Sequence, residues 1–147
     1  MVDCSIGFPA GGRDHTDGVE QLLPDMRPFA DAPIAAVFLT HGHDDHIAAL
    51  GHLIRAGAPI GRIVGLPFTA ELARAKLAEW GPHPPIVTAR PGTQITTGAF
   101  AVEWVNSLDL ERMLKDRDYL QRIVITYVVA DSPTMLYVYG SGKLVTQ

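Results

Sequence analysis

The sequence predicts an α/β fold, a mixed sheet with helices packed on it. Three observations carry that expectation. Short apolar runs bounded by turn residues alternate with longer stretches whose apolar positions recur at helical spacing. Gly57 and Gly81 follow the two helix-like stretches, where a glycine stop is expected. The cluster Thr40-His41-Gly42-His43-Asp44-Asp45-His46 follows directly on the apolar run Ile34 to Leu39. That is the carboxyl end of a buried strand, where open α/β sheets place their ligands.

Taken in order, Met1 to Phe8 reads as a strand. Residues 9–31 are rich in Gly, Pro and Asp and read as a loop, with His15 in it as a solvated histidine. Ile34 to Leu39 is short, apolar and preceded by Pro33, so it reads as a buried strand. Ile47, Leu50, Leu53 and Ile54 recur at helical spacing, which predicts one amphipathic helix from Ile47 to Ala56 stopped by Gly57. His52 lies off that apolar stripe and reads as a surface residue. Arg62 to Gly65 is the next short strand, and Pro67 to Trp80 is a second helix ended by Gly81. Leu72, Ala73, Ala75, Leu77 and Trp80 are expected on its buried side. Ile86 to Ala89 is a short strand behind the turn-rich residues 81–85, and His83 among them reads as structural or solvated. Phe100 to Val105 alternates as a half-buried strand does. Leu110 to Gln121 is charged and predicts an exposed helix. Arg122 to Ala130 and Met135 to Tyr139 predict a hairpin turned by Asp131-Ser132-Pro133-Thr134.

Composition sets bounds. The chain has 147 residues, a size for one small domain or part of one. A single cysteine, Cys4, excludes an internal disulfide and fits a reducing, cytoplasmic setting. No secretory leader and no apolar stretch long enough to span a bilayer is visible. The net charge of −4 gives no general attraction to nucleic acid, and the basic residues Arg112, Lys115, Arg117 and Arg122 stand among acidic ones.

The chemistry lies in residues 41–46, where three imidazoles and two carboxylates fall together. Imidazole nitrogen and carboxylate oxygen are ligands suited to Zn²⁺ and similar ions. In an extended segment, residues two apart point the same way, so His41 and His43 are expected to converge on one ion. Asp45 sits on the turn and His46 opens the following helix, so those two are expected to face a second ion. A pair of ions roughly 3.5–4 Å apart is a known clamp for the attacking and leaving oxygens of a hydrolysis.

This stretch resembles the H-x-H-x-D-H signature of the metallo-β-lactamase superfamily. With Val2-Asp3-Cys4-Ser5-Ile6-Gly7-Phe8-Pro9, Leu22-Leu23-Pro24-Asp25 and Gly65-Leu66-Pro67-Phe68-Thr69, it is similar to ribonuclease J, in the β-CASP branch of metal-dependent RNA nucleases. The resemblance is firm over residues 2–105 and weak over 106–147. It implies a partial αββα sandwich, a single partial domain over 1–147, and no β-CASP domain within these residues. It implies metal ligation by His41, His43, Asp45 and His46, with Asp45 and His46 also at the catalytic centre. It implies two ions, Zn²⁺ or else Mn²⁺ or Mg²⁺, and RNA cleaved by a metal-bound hydroxide. It gives Asp3 the task of orienting the histidine loop by hydrogen bonds, and it sets Asp25 near the substrate entrance.

The sequence departs from that pattern in its second half. No histidine follows His83. A third histidine for the first ion is replaced by Asn106 or Ser107, and the aspartate that bridges both ions is replaced by Ser141. Asp109 and Asp131 are alternatives for the missing ligands. The expectation is therefore at most one tightly held ion. The chain reads as a fragment of a ribonuclease J-type hydrolase, or alternatively as a degenerate, non-catalytic metal- or partner-binding remnant. A related hydrolase acting on a thioester, lactone or β-lactam is a third reading. Association with a second copy through exposed core surface is also expected.

Overall fold

A computed structural model describes residues 1–9, 19–106, 123–127 and 134–140. Two compact units divide the chain, Met1–Thr88 and Ala89–Gln147.

The first unit is built on a parallel three-stranded sheet. Strand β1 (Val37–Phe38) pairs with β2 (Ile63–Gly65), and β2 pairs with β3 (Ile86–Thr88). The chain start flanks β1 on its other side, with Val2 bridged in parallel to Phe38. Parallel strands need crossovers, and here helices supply them. Between β1 and β2 lie α1 (Asp44–Ile47) and α2 (Leu50–Arg55); between β2 and β3 lies α3 (Pro67–Ala78). Val37, Leu39, Leu50, Leu53, Ile63 and Leu77 are shut from solvent and form the core between sheet and helices. Among the described residues no helix is long and apolar enough to cross a membrane.

Several expectations change here. The single helix Ile47 to Ala56 is two shorter ones, because helical structure starts earlier, at Asp44, and turns at Ala48 and Ala49. Gly57 does stop α2. At φ 86° it adopts the left-handed conformation, and its N–H bonds Ile54 O at 2.9 Å while Ala58 N–H reaches Leu53 O at 3.4 Å. That pair is a Schellman close, which a glycine supplies at no steric cost. In α3, Pro67 at the first turn needs no N–H partner. The buried face of α3 is Thr69, Ala70, Ala73 and Leu77, with Leu72 packed at its margin. Ala75 points to solvent, and Trp80 falls beyond the helix end at 37% exposure. The stripe therefore keeps Ala73 and Leu77 of the expected set, gains Thr69 and Ala70 in the first turns, and loses Ala75 and Trp80.

The second unit is an antiparallel sheet ordered β4-β5-β7-β6, from β4 (Gln94–Thr97), β5 (Phe100–Asn106), β6 (Ile123–Tyr127) and β7 (Thr134–Gly140). Val102 and Trp104 are buried while Ala101 and Glu103 between them are part-exposed, as alternation along β5 requires; Phe100 shares the buried face but stands half exposed at the strand's start. Sequence reading missed β4. Its signal was Ile95, Thr96 and Thr97 ahead of Gly98, which takes φ 58° in a two-residue turn between Thr97 and Phe100. Strands β6 and β7 pair antiparallel as the hairpin reading expects. Of its expected turn at 131–134, Thr134 instead opens β7, and residues 131–133, like the helix expected over 110–121, lie outside the described residues.

Candidate metal centre

The histidine loop leaves the carboxyl end of β1, and three neighbours hold it. Cys4 N–H donates to His46 O at 2.8 Å, and Ala49 N–H donates to Cys4 O at 3.1 Å, so the first strand-like segment braces α1. Leu72 of α3 lies against Gly42 so closely that a Cβ there would collide with its Cδ1. Lys76 of α3 pairs with Asp44 at 2.7 Å. His43, extended at φ −69°, ψ 148°, precedes α1, and Asp44 and Asp45 occupy its first turn, where a negative charge suits the helix dipole.

Asp3 is the anchor. Its carboxylate is buried at 7% exposure and takes three hydrogen bonds. Thr40 N–H donates to Oδ1 at 2.8 Å, Thr40 Oγ1 donates to Oδ2 at 2.8 Å, and His46 Nδ1 lies 2.8 Å from Oδ2. Asp3 holds φ 53°, a left-handed conformation that an aspartate tolerates better than most side chains. A carboxylate only accepts, so His46 carries its proton on Nδ1 and leaves Nε2 with a lone pair. That Nε2 stands 3.5 Å from Asp45 Oδ2.

The other two imidazoles meet beside it. His41 Nε2 lies 2.9 Å from His43 Nδ1, and the His41 ring centroid is 4.4 Å from that of His43 and 4.0 Å from that of His46. Burial, reinforced by the neighbouring imidazoles of His46 and His43, lowers the pKa of His41, while Asp3 and Asp45 oppose the shift. His41 is thus kept neutral, the form a ligand needs.

A fit to a divalent ion can be judged on these separations. Ligand bonds of 2.0–2.2 Å at tetrahedral angles set donors roughly 3.3 to 3.6 Å apart. Asp45 Oδ2 and His46 Nε2 fall within that span. His41 and His43 are a few tenths of an ångström closer, as a hydrogen-bonded pair is. One pair of donors thus stands at an ion-like spacing, and the other would have to part by a few tenths of an ångström to admit one. Among the described residues no group of three converges on one point. Ser107, Asp109, Asp131 and Ser141, the positions that sequence reasoning weighed for the rest, lie outside the described residues, and Asn106 is described only as the end of β5.

Residues 10–102, more than half of the chain, match the family profile of the metallo-beta-lactamase superfamily. The chain belongs to the metallo-beta-lactamase superfamily. Within it, the chain is 39% identical over 106 residues to ribonuclease J of Mycobacterium tuberculosis (strain ATCC 25618 / H37Rv), covering 71% of this chain and 18% of that protein. It is 36% identical over the same length to ribonuclease J of Mycolicibacterium smegmatis, with 71% and 18% covered, and 32% identical to that of Corynebacterium glutamicum, with 71% and 14% covered. The chain thus spans less than a fifth of the length of these curated relatives. Among solved structures, the metallo-beta-lactamase fold protein YhfI from Bacillus subtilis has a TM-score of 0.44 at 19% identity, over 76% of this chain and 39% of that one. That likeness is too loose to bear on the assignment.

Of the other histidines, His52 stacks edge-on against Trp80 with centroids 4.6 Å apart, and His83 Nδ1 meets Pro84 O at 2.8 Å. Both are structural. His15 lies outside the described residues. Asp25 is held by Arg27 through two side-chain bonds of 2.8 Å, which lower its pKa. Sequence reasoning gave no role to Thr40 or Lys76, and placed Leu72 only on the buried side of its helix. Only Thr40 carried a signal, a hydroxyl placed next to the histidine run.

Proposed function

We propose that this chain carries the histidine-loop half of a ribonuclease J-type, metal-dependent RNA hydrolase. His41 and His43 face one ion position, and Asp45 and His46 face the other. The carrying observation is that Asp3 fixes the loop at both ends, through Thr40 and through His46, while Asp45 and His46 stand at a ligand-like separation and His41 and His43 meet at hydrogen-bond distance. Similarity to the three ribonuclease J proteins supports RNA as the substrate. Nitrogen-rich donors favour Zn²⁺, with Mn²⁺ or Mg²⁺ as alternatives. Such an ion supplies an acidified water and positive charge against the phosphate oxygens.

The chain's own residues do the arranging. Asp3 holds His46 in one tautomer, the lowered pKa keeps His41 neutral, and Lys76 draws Asp44 away from the donor set. We read the two units as one partial domain, since the family match runs across their boundary. Exposed Phe8, Leu22 and Leu23, around the Gly7–Leu22 bridge, support association with a second copy. We place the protein in the cytoplasm, where Cys4, with burial pushing its thiol up to about 12, stays reduced and inert.

A second reading, a metal- or partner-binding module without turnover, is favoured by one observation: among the described residues no three donors converge. An RNA cleavage assay separates the two. With 5′-monophosphorylated single-stranded RNA and added Zn²⁺ or Mn²⁺, this chain alone is expected to give little or no cleavage beyond His43→Ala. Robust cleavage abolished by His43→Ala would make the chain a self-sufficient nuclease and remove the second reading.

A further inference from the structure

We propose that Thr40 is a positioning residue that extends the hold of Asp3 from His46 to His41, so that one buried carboxylate sets the tautomers of ligands at both ion positions. The inference rests on the metal-site reading above, but not on the identity of the substrate.

The argument is a count of protons along a chain of hydrogen bonds. Thr40 Oγ1 lies 2.8 Å from Asp3 Oδ2 and 2.9 Å from His41 Nδ1. A hydroxyl has one proton to give. An ionised carboxylate has none, so the Thr40 proton points to Asp3. Thr40 Oγ1 must then accept from His41, and that requires the proton of His41 on Nδ1. The lone pair of His41 is left on Nε2, the nitrogen that faces His43 Nδ1 at 2.9 Å. His46 reaches the same arrangement directly, by donating Nδ1–H to the same Asp3 oxygen.

The surroundings leave few other solutions. Thr40 is buried at 3% exposure and Asp3 at 7%, so water is a poor substitute for either. Every buried side-chain polar atom among the described residues has a partner. Thr40 N–H is also tied to Asp3 Oδ1, which fixes the hydroxyl's distance from the carboxylate. Without the relay, a free imidazole chooses its tautomer by its own local partners, and His41 would meet an ion with its lone pair misdirected for part of the time. Outer partners of metal-bound histidines typically control affinity tenfold to a hundredfold. Thr40 gives that control to His41, whose Nδ1 has no carboxylate as its hydrogen-bond partner among the described residues.

Nitrogen-15 NMR of the ring nitrogens in the metal-free protein, at a pH where the imidazoles are neutral, reads the tautomers directly. The wild type is expected to show His41 and His46 both protonated on Nδ1. In Thr40→Val, His41 is expected to shift toward the Nε2-protonated form while His46 stays as it is. Thr40→Ser restores the wild-type pattern. Zn²⁺ affinity is expected to fall about tenfold in Thr40→Val and to recover in Thr40→Ser. A wild-type His41 protonated on Nε2 would overturn the proposal even if the valine variant failed to fold. So would an unchanged His41 tautomer in folded Thr40→Val. Absence of RNA cleavage would leave these spectra untouched and would count only against the ribonuclease reading.

Discussion

At the scale of single residues, burial sets the pH response of His41. His41 has a lowered pKa because burial, with the nearby imidazoles, penalises its charged form. In the unfolded chain it titrates near the ordinary histidine value of about 6.5. The folded protein therefore binds this proton less readily than the unfolded chain does. Above that ordinary value both states are neutral and His41 imposes no penalty. As pH falls below it, the unfolded state gains a proton first, and stability is lost down to the lowered folded value. Urea unfolding of the metal-free protein between pH 7.5 and 5 is expected to show stability declining over that window, with a shallower decline in His41→Gln. Identical pH dependence in the two proteins would contradict the account of this residue. Asp3 shows what sequence alone conveys at this scale. Its type and place were legible, but its three bonds and its left-handed backbone come from a chain segment that returns beside β1. Thr40 was written next to the histidines, and its use depends on that same return.

At the scale of elements, periodicity located the helices and most strands, and failed where packing set the boundary. Strand β2 follows its apolar pattern closely, and helix α3 keeps its place while its buried face differs from the one read in the letters. The division of α1 from α2 was not legible, because the helical stretch opens at the polar Asp44 and Asp45, ahead of the first apolar residue of the stripe. Close approach between elements was equally hidden. Gly61 enters β2 beside the chain that leads into β1, and its N–H donates to Ile34 O at 2.9 Å. A Cβ at Gly61 would stand 2.6 Å from Ala35 O, which is backbone and cannot swing aside. Gly61→Ala is expected to destabilise the protein by about 1–3 kcal/mol, as overpacking in a tight site does. A chemical-denaturation midpoint equal to that of the wild type would show that β1 and β2 yield more easily than these contacts indicate.

At the scale of the whole molecule, the family was legible from one loop and a few flanking words, and the fold class followed from strand and helix alternation. The fold's two-sheet division was not, since β4 was hidden in a short polar stretch, and β5 and the later hairpin were read as strands without a sheet of their own. The candidate centre was legible as a list of donors. The pairing of those donors and the orienting role of Asp3 were expected as well; what the list did not contain was the set of hydrogen bonds by which Asp3 holds Thr40 and His46. The central claim is that His41, His43, Asp45 and His46 form the metal site of this chain. Metal content of the purified protein, with Zn²⁺ titration against a chelator of known affinity, tests it most directly. The expected result is at most one tightly held ion per chain, lost when His41→Ala and His43→Ala are combined. Undiminished tight binding in that double variant would contradict the assignment, and two tightly held ions in the wild type would show that further ligands complete the site.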